Sequence, residues 1–384
     1  MRWRKLALWL IGTRALALAA MVLGSFWPAP KDDLHWIGQD GSLWFQQVPW
    51  RVLDVWGRWD TAYYLQLSAE GYQPLGADYQ FAYQAAYFPF FPVLMRGLSE
   101  LSFGLLSPYL AGVLLAQVML GLAVVYFDKL LRKDESDDFA LLAVSCLLAY
   151  PGSHWLSCVY PESTALFLAV FAVYCARVGL PVVAGLACML AVVTRSSGWV
   201  VCFPVLYELL KAPAAARPER GLQAESNGPA FRLHPRVLVL LLPFVSLGAL
   251  MALHQQVYGD PLYFIHVQAG WGRKPSLPFL PLFDFSLSPD YHLFTIAAVA
   301  ATVYGFVRKE RAGYLSMAAI NVLLPLSTGM LRGIHRYMAS NFPLFIFLAR
   351  AVEKRPRWKL AWYVVGLSVM AVFAFRWGQG KHPN

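Results

Sequence analysis

The stretch LLSPYLAGVLLAQVMLGLAVVYF, residues 105–127, contains no Asp, Glu, Lys, Arg or His. A helix needs about 20 apolar residues to cross the hydrocarbon of a bilayer, and this run supplies them without a charge to desolvate. Similar runs recur on both sides of it, at 6–27, 139–158, 161–177, 237–257, 291–307, 313–331, 339–352 and 360–376. The piece 181–210 is as apolar but is interrupted by Thr194-Arg195-Ser196-Ser197-Gly198, so it reads as two short helices meeting at a polar break. The expected fold class is an all-α polytopic integral membrane protein with about eleven transmembrane helices, forming a single domain over 1–384.

Composition agrees. The chain is 58% hydrophobic and 14% charged, with mean hydropathy +0.48, whereas soluble domains carry about 25% charged residues. The 14 Trp, 19 Tyr and 25 Phe exceed what a core alone needs, and aromatic belts at the membrane interfaces would use some of them. Cys146, Cys158, Cys175, Cys188 and Cys202 all sit in apolar stretches with no CxxC spacing, so they read as small buried hydrophobes, with no metal site or disulfide framework. The first apolar run is longer than a signal-peptide core and enters Trp27-Pro28 without a small-residue cleavage site, so it reads as a first transmembrane helix.

The net charge of +10 reads as loop retention, and no nucleic acid partner is expected. With Arg2, Arg4 and Lys5 on the cytoplasmic side, 20 of the 32 basic residues fall in inside loops and 11 outside, with Arg14 within the first helix. An even number of crossings in 181–210 keeps the basic segment 211–236 inside, where its Ala, Pro, Glu and Arg content reads as a cytoplasmic linker. The segment 28–104 then lies outside. It carries Asp32, Asp33, Asp40, Asp54, Asp60, Glu70 and Asp78 among many aromatic residues, and its Trp-rich stretches read as interfacial helices on the bilayer. No internal repeat is visible, so a repeat-built transporter gains no support.

Ionisable groups near the membrane are costly to bury and mark function. Arg58-Trp59-Asp60-Thr61-Ala62-Tyr63-Tyr64 offers a carboxylate flanked by Trp59, Tyr63 and Tyr64, partly desolvated and suited to act as a base. It reads equally as an interfacial Asp60–Arg58 ion pair. Glu162, after Tyr160-Pro161, sits where an outer turn enters a helix; it is a second candidate acid or base, or a carboxylate satisfying free helix N–H groups. Arg195 places a cation between two apolar helices, and Arg332, His335, Arg336 and Tyr337 form an outer basic knot suited to a membrane-anchored phosphate. His254 and His266 read as structural.

The order of these motifs resembles the PIG-V family of mannosyltransferases. RWDTAYYLQLSAEGYQ (58–73) and QAAYFPFFPVLMR (84–96) resemble the family's Trp-Asp, Gly-Tyr and Phe-Phe-Pro elements. YPGSHWLSCVYPESTALF (150–167), AVVTRSSGWV (191–200) and HRYMASNFPLF (335–345) resemble its Tyr-Ser-Glu-Ser, Thr-Arg-Ser-Asn-Gly and Arg-Tyr…Pro elements, with Pro161 and Ser197 as departures. The resemblance implies a GT-C type glycosyltransferase that takes a sugar, mannose first, from a polyprenyl-phosphate donor at the outer face. It implies a lipid or glycan acceptor, membrane lipids as the surroundings and no cofactor. The first-loop carboxylate, here Asp60, would be the base, with Glu162 in reserve and Arg195, His335 or Arg336 on the leaving phosphate. No Asp-x-Asp motif appears in the outer loop, so a metal-free mechanism is expected. A transporter or lipid flippase, and a non-catalytic subunit of a glycolipid-assembly complex, share the polytopic body and stay open.

Overall fold

The computed structural model describes residues 2–27, 47–76, 80–211 and 234–381. The chain begins with α1 (Arg2–Gly24), followed by α2 (Arg51–Asp54), α3 (Thr61–Glu70) and α4 (Phe90–Leu101). A bundle follows: α5 (Pro108–Leu131), α6 (Asp137–Leu148), α7 (Glu162–Arg177), α8 (Pro181–Val192), α9 (Cys202–Leu210) and α10 (Leu242–Tyr258). The short α11 (Tyr263–His266) precedes α12 (Pro289–Val307), α13 (Ala312–Leu326), α14 (Ile334–Ala339), α15 (Pro343–Val352) and α16 (Pro356–Gly378).

Every apolar run read from the sequence is helical here. Among the described residues five helices are long and apolar enough to cross a membrane, or six if the bent pair Asp137–Leu148 and Pro151–Ser157 is one span. Pro181–Val192, Gly198–Leu210, Ala312–Leu326 and Pro343–Val352 are shorter apolar helices packed inside the bundle. The chain is a multi-pass membrane protein. Residues 28–46 and 77–79 of the acidic first loop, with Asp32, Asp33, Asp40 and Asp78, and residues 212–233 of the linker 211–236, lie outside the described residues. The described part of that loop is built of short helices, as expected. Among them α4 buries Phe91, Pro92 and Met95 and leaves Val93 and Leu101 exposed.

Ion pairs fix which helix ends meet. At one end Arg2 pairs with Asp128 and Asp137, and Arg177 with Asp134 and Glu208. Arg311 reaches Asp134 at 2.7 Å and Glu208 at 3.0 Å, and Arg350 reaches Glu135 at 2.5 Å and Glu310 at 3.2 Å. Arg177 closes α7 before the 181–210 piece begins, and Glu208 lies near its end. Their 3.7 Å contact returns the chain to its starting side, so α8 and α9 make an even number of passes. Arg236 donates to the carbonyls of Leu209 and Lys211, closing both flanks of the linker on this same end. Glu162 opens α7 at the opposite end, about 24 Å away at 1.5 Å per residue.

One run departs from the expected continuous helix. The span 139–158 breaks after Leu148 and turns by 84° into a 3-10 helix, Pro151–Ser157. Pro151 has no N–H to give and its ring crowds the carbonyl four residues back, so an α-helix cannot run through it. The break leaves carbonyls that need donors. The Ser153 hydroxyl donates to the Leu148 carbonyl at 2.8 Å. Arg14, from the middle of α1, donates to the Ser153 carbonyl at 2.6 Å, the Ser153 hydroxyl at 2.9 Å and the Ser157 hydroxyl at 3.3 Å. A lone arginine at a helix centre costs about 2.5–3.5 kcal/mol in a bilayer. Here it completes a broken span, and burial lets each donor find an acceptor.

Arg14→Leu strands the Ser153 carbonyl in an apolar interior, which costs about 1–3 kcal/mol. The expected result is a lower unfolding midpoint in detergent micelles; an unchanged midpoint would show that the Arg14 contacts stabilise nothing.

Candidate active site

The turn before α3 sets the first carboxylate. Trp59 has φ 53, a left-handed conformation that costs a bulky residue about 1–3 kcal/mol. Tyr160 holds that turn from another part of the chain. Its hydroxyl accepts from the Asp60 N–H at 3.0 Å and donates to the Arg58 carbonyl at 3.0 Å. The Val159 N–H donates to the Trp56 carbonyl at 2.9 Å, so 56–60 and 159–160 are stitched on both sides of the strained residue. Two residues after Tyr160 comes Glu162, which places both carboxylates at one end of the bundle. Arg58 pairs with Asp54 at 3.3 Å, and no Asp60–Arg58 pair forms between these two described residues, so that sequence alternative is replaced.

Asp60 instead accepts from Arg336 at 2.6 Å. The Nε of Arg336 lies 3.3 Å from Glu162, and Glu162 lies 3.4 Å from Arg195. The result is an alternating chain, Asp60–Arg336–Glu162–Arg195, drawn from four segments far apart in sequence. Exposure grades along it: the Glu162 side chain is 2% exposed and that of Asp60 25%. The second oxygen of Glu162 is buried without a hydrogen-bond partner among the described residues.

Close backbone approach positions the two arginines. A Cβ on Gly152 would collide with the His335 carbonyl oxygen, so only glycine lets α14 lie against the 3-10 helix and bring Arg336 over the carboxylates. A Cβ on Gly198 would collide with the Ala191 carbonyl, so the turn carrying Arg195 folds tightly onto the end of α8. The Phe90 N–H donates to the Val193 carbonyl at 3.0 Å, tying the start of α4 to that same turn.

Aromatic rings line the cations. Arg336 sits 5.5 Å from the Trp155 ring centre, 5.3 Å from Tyr160 and 5.2 Å from Tyr337. Arg195 lies 5.3 Å from the Tyr337 ring, and its Nη1 donates to the Ser340 hydroxyl at 3.2 Å. A third guanidinium, Arg273, donates to the Tyr337 hydroxyl at 2.6 Å. Arg273 escaped the sequence reading, and Trp155 and Tyr160 lay in the quoted 150–167 motif without a role; the local signal for Arg273 is a basic pair, Arg273-Lys274, two residues after Trp271. Burial pushes the Tyr337 phenol up, and Arg273, Arg336 and Arg195 outweigh it, bringing the group down to about 8.

The other sequence candidates fall around this chain. Tyr63 stacks on Tyr87 at 4.6 Å, and burial with the Asp60 charge pushes its phenol up to about 12. Tyr64 packs edge-on against Tyr87, Phe91 and Tyr160 beneath the carboxylates. Trp59 is buried in the same apolar cluster. His335 lies fully buried one layer down, its ring among Trp155, Tyr291, Phe294 and Phe373 rather than beside the carboxylates. Arg332 is exposed and makes no ion pair among the described residues. No group of three or more His, Cys, Asp or Glu side chains is placed to hold a metal ion among the described residues.

Three arginines meet two carboxylates at this end of the bundle, and the excess cation suits an anionic ligand. The comparisons bear on the fold. The structure of the Archaeoglobus fulgidus oligosaccharyltransferase tethered with an acceptor peptide is similar over 98% of this chain, with TM-score 0.50 and 13% identity. The same organism's oligosaccharyltransferase in complex with an inhibitory peptide and a dolichol-phosphate matches over 97%, with TM-score 0.46 and 13% identity. The likeness to the first of these shows that this chain has the GT-C fold. It spans 56% of the length of each of those chains. No family profile matches the sequence, and no curated protein does. The likeness therefore stops at the GT-C fold and does not reach the PIG-V family.

Tyr337 offers a direct check on the three-arginine cage. Its folded-state value lies below the ordinary phenol value of about 10. Its contribution to stability is therefore complete above about pH 10 and is lost as pH falls through about 8. Ultraviolet titration is expected to show one tyrosine ionising near pH 8. That step disappears in Tyr337→Phe and moves upward in Arg273→Gln; a curve unchanged by both variants would remove the cage.

Proposed function

We propose that this chain transfers a sugar, mannose first, from a polyprenyl-phosphate donor to a lipid-linked or glycolipid acceptor, within a single domain. The observation that carries the reading is the ion-pair chain Asp60–Arg336–Glu162–Arg195, in which a carboxylate suited to take a proton touches a guanidinium suited to hold a phosphate. The GT-C fold and the order of the PIG-V-like motifs support it.

The chemistry follows from the contacts. The acceptor hydroxyl attacks the anomeric carbon of the sugar, and its proton passes to Asp60. The bond from that carbon to the phosphate oxygen breaks, and its electron pair leaves on the polyprenyl phosphate. Arg336, with Arg195 and Arg273, stabilises the departing charge through fixed guanidinium donors. Arg336 contacts Asp60 at 2.6 Å, so the proposed base and the proposed phosphate donor lie side by side. Glu162 holds Arg336 and Arg195 together from below and is the reserve candidate for proton transfer. Trp59, Tyr63 and Tyr64 pack around this site, His335 supports it from the aromatic layer beneath, and Arg332 lies exposed at the entry to α14. Exposed apolar helix faces would hold the polyprenyl tail.

Purified protein is incubated with radiolabelled polyprenyl-phosphate-mannose and a lipid extract, with Asp60→Asn and Glu162→Gln at matched amounts. Asp60→Asn is expected to bind donor and to lose turnover by roughly 10²–10⁴, the range for a positioned base. Arg336→Lys is expected to weaken donor binding, because an ammonium cannot reproduce the paired donors of the guanidinium. Parental turnover in Asp60→Asn with collapse in Glu162→Gln would give the role to Glu162. Label that crosses a bilayer without becoming covalently attached to acceptor would favour the flippase.

The bias of basic residues supports a site on the extracytoplasmic face and an N-terminus in the cytoplasm. Glu70 is exposed at the site end and Arg357 at the other. A membrane-impermeant maleimide added to intact cells should label Glu70→Cys, and should label Arg357→Cys only after permeabilisation; the reverse pattern would invert the protein.

A further inference from the structure

A second site lies at the end of the bundle opposite the carboxylates. The C-terminus of α12, the C-terminus of α15 and the start of α16 enclose a cavity of about 480 Å³. Its lining is mostly cationic: Arg308, Arg350, Lys354 and Arg355, with Glu353 as the acidic member. Arg350 is already committed, since its guanidinium is shared between Glu135, Glu310 and Glu353 and lies 4.1 Å from the Phe139 ring centre. Arg308, Lys354 and Arg355 make no ion pair among the described residues and are exposed. The four cations of the lining face three carboxylates, all gathered on Arg350, so a net positive charge remains and sits on Arg308, Lys354 and Arg355. It opens beside apolar surface: Phe306 and Val307 end α12 at 54% and 73% exposed, and Trp358 begins α16 at 66%. Arg355, the N-cap of α16, makes no side-chain capping bond, so its guanidinium is not spent on the helix end.

We propose that this cavity binds the phosphodiester headgroup of an anionic membrane lipid, whose acyl chains lie along the exposed faces of α12 and α16. Charge decides the headgroup. A neutral zwitterionic lipid would bring its own cation against Arg308, Lys354 and Arg355, whereas an anionic one supplies the missing counter-charge. The adjoining Phe306, Val307 and Trp358 decide between a lipid and a free phosphate, because only a lipid has chains to cover them. Neither Asp60 nor Arg336 takes part, so the inference is independent of the proposed catalytic reading.

The test is native mass spectrometry of the full-length protein released from phosphatidylcholine membranes containing a minor fraction of phosphatidylglycerol. Lys354→Gln/Arg355→Gln is compared with Arg4→Gln/Lys5→Gln, which removes the same charge from exposed positions outside the cavity. Arg308→Gln is a second, independent change in the cavity. The expected result is preferential retention of phosphatidylglycerol over phosphatidylcholine. The cavity double variant should lower it roughly tenfold or more and Arg308→Gln by several-fold, with the control double variant at parental level. Inorganic phosphate at millimolar concentration should leave the bound lipid in place. Equal loss in both double variants would reduce the effect to general surface charge and overturn the proposal. Absence of any preference for phosphatidylglycerol would also overturn it, and displacement by inorganic phosphate would assign the cavity to the free anion instead.

Discussion

The guanidinium of Arg336 is the group around which the candidate site is organised. It touches Asp60 and Glu162 and lies against three aromatic rings, so it joins the first loop, the entry to α7 and the helix between α13 and α15. At low local dielectric such contacts are strong, and the cost of leaving any member unpaired is correspondingly high. The pair Asp60–Arg336 is 25% and 17% exposed, so a ligand can reach it, while Glu162 behind it is shielded from water. Buried support below and accessible reactants above is the arrangement a transfer site needs.

Holding that guanidinium in place takes the whole end of the bundle. The glycine contact at Gly152 lets α14 approach, and the break after Leu148 makes room for the 3-10 helix on which it rests. That break is sustained by Arg14 reaching across from α1. Beneath Arg336, Trp155 packs on Trp377 at 4.6 Å, and Trp377 donates to the Val55 carbonyl at 2.7 Å, closing the last helix onto the first loop. The strain at Trp59 belongs to the same construction. It is tolerated because one hydroxyl, that of Tyr160, satisfies backbone groups on both sides of it. The two charged ends of the bundle thus differ in kind. One is a lattice of ion pairs beside a cationic cavity, and the other sets buried arginines against a partly open carboxylate.

Much of this was legible in the residues. The apolar runs gave the helices because a bilayer accepts only backbone that is satisfied within the segment. The two halves of 181–210 were legible because Arg195 and Gly198 interrupt an otherwise apolar stretch, and the return of Glu208 to Arg177 follows from that parity. Asp60, Glu162, Arg195 and Arg336 stood out because charges beside apolar spans are costly and few. The 139–158 run read as continuous because hydropathy averages over Pro151 and sees apolar residues on both sides of it. Arg14 was legible only as a charge within the first helix, since its acceptors lie 139 and 143 residues away.

The sequence by itself determined a polytopic helical membrane protein and its chemically capable residues, because those follow from composition and spacing within single segments. Tertiary structure alone decided the pairing. Asp60 goes to Arg336, 276 residues distant, and not to its neighbour Arg58, which turns back to Asp54. His335, one residue before Arg336, faces an aromatic interior instead of the carboxylates. Arg273 joins the site only because its segment folds onto α14. Adjacent residues on a helix diverge by about 100°, and partners across a bundle are chosen by packing, so neither choice is written in local sequence.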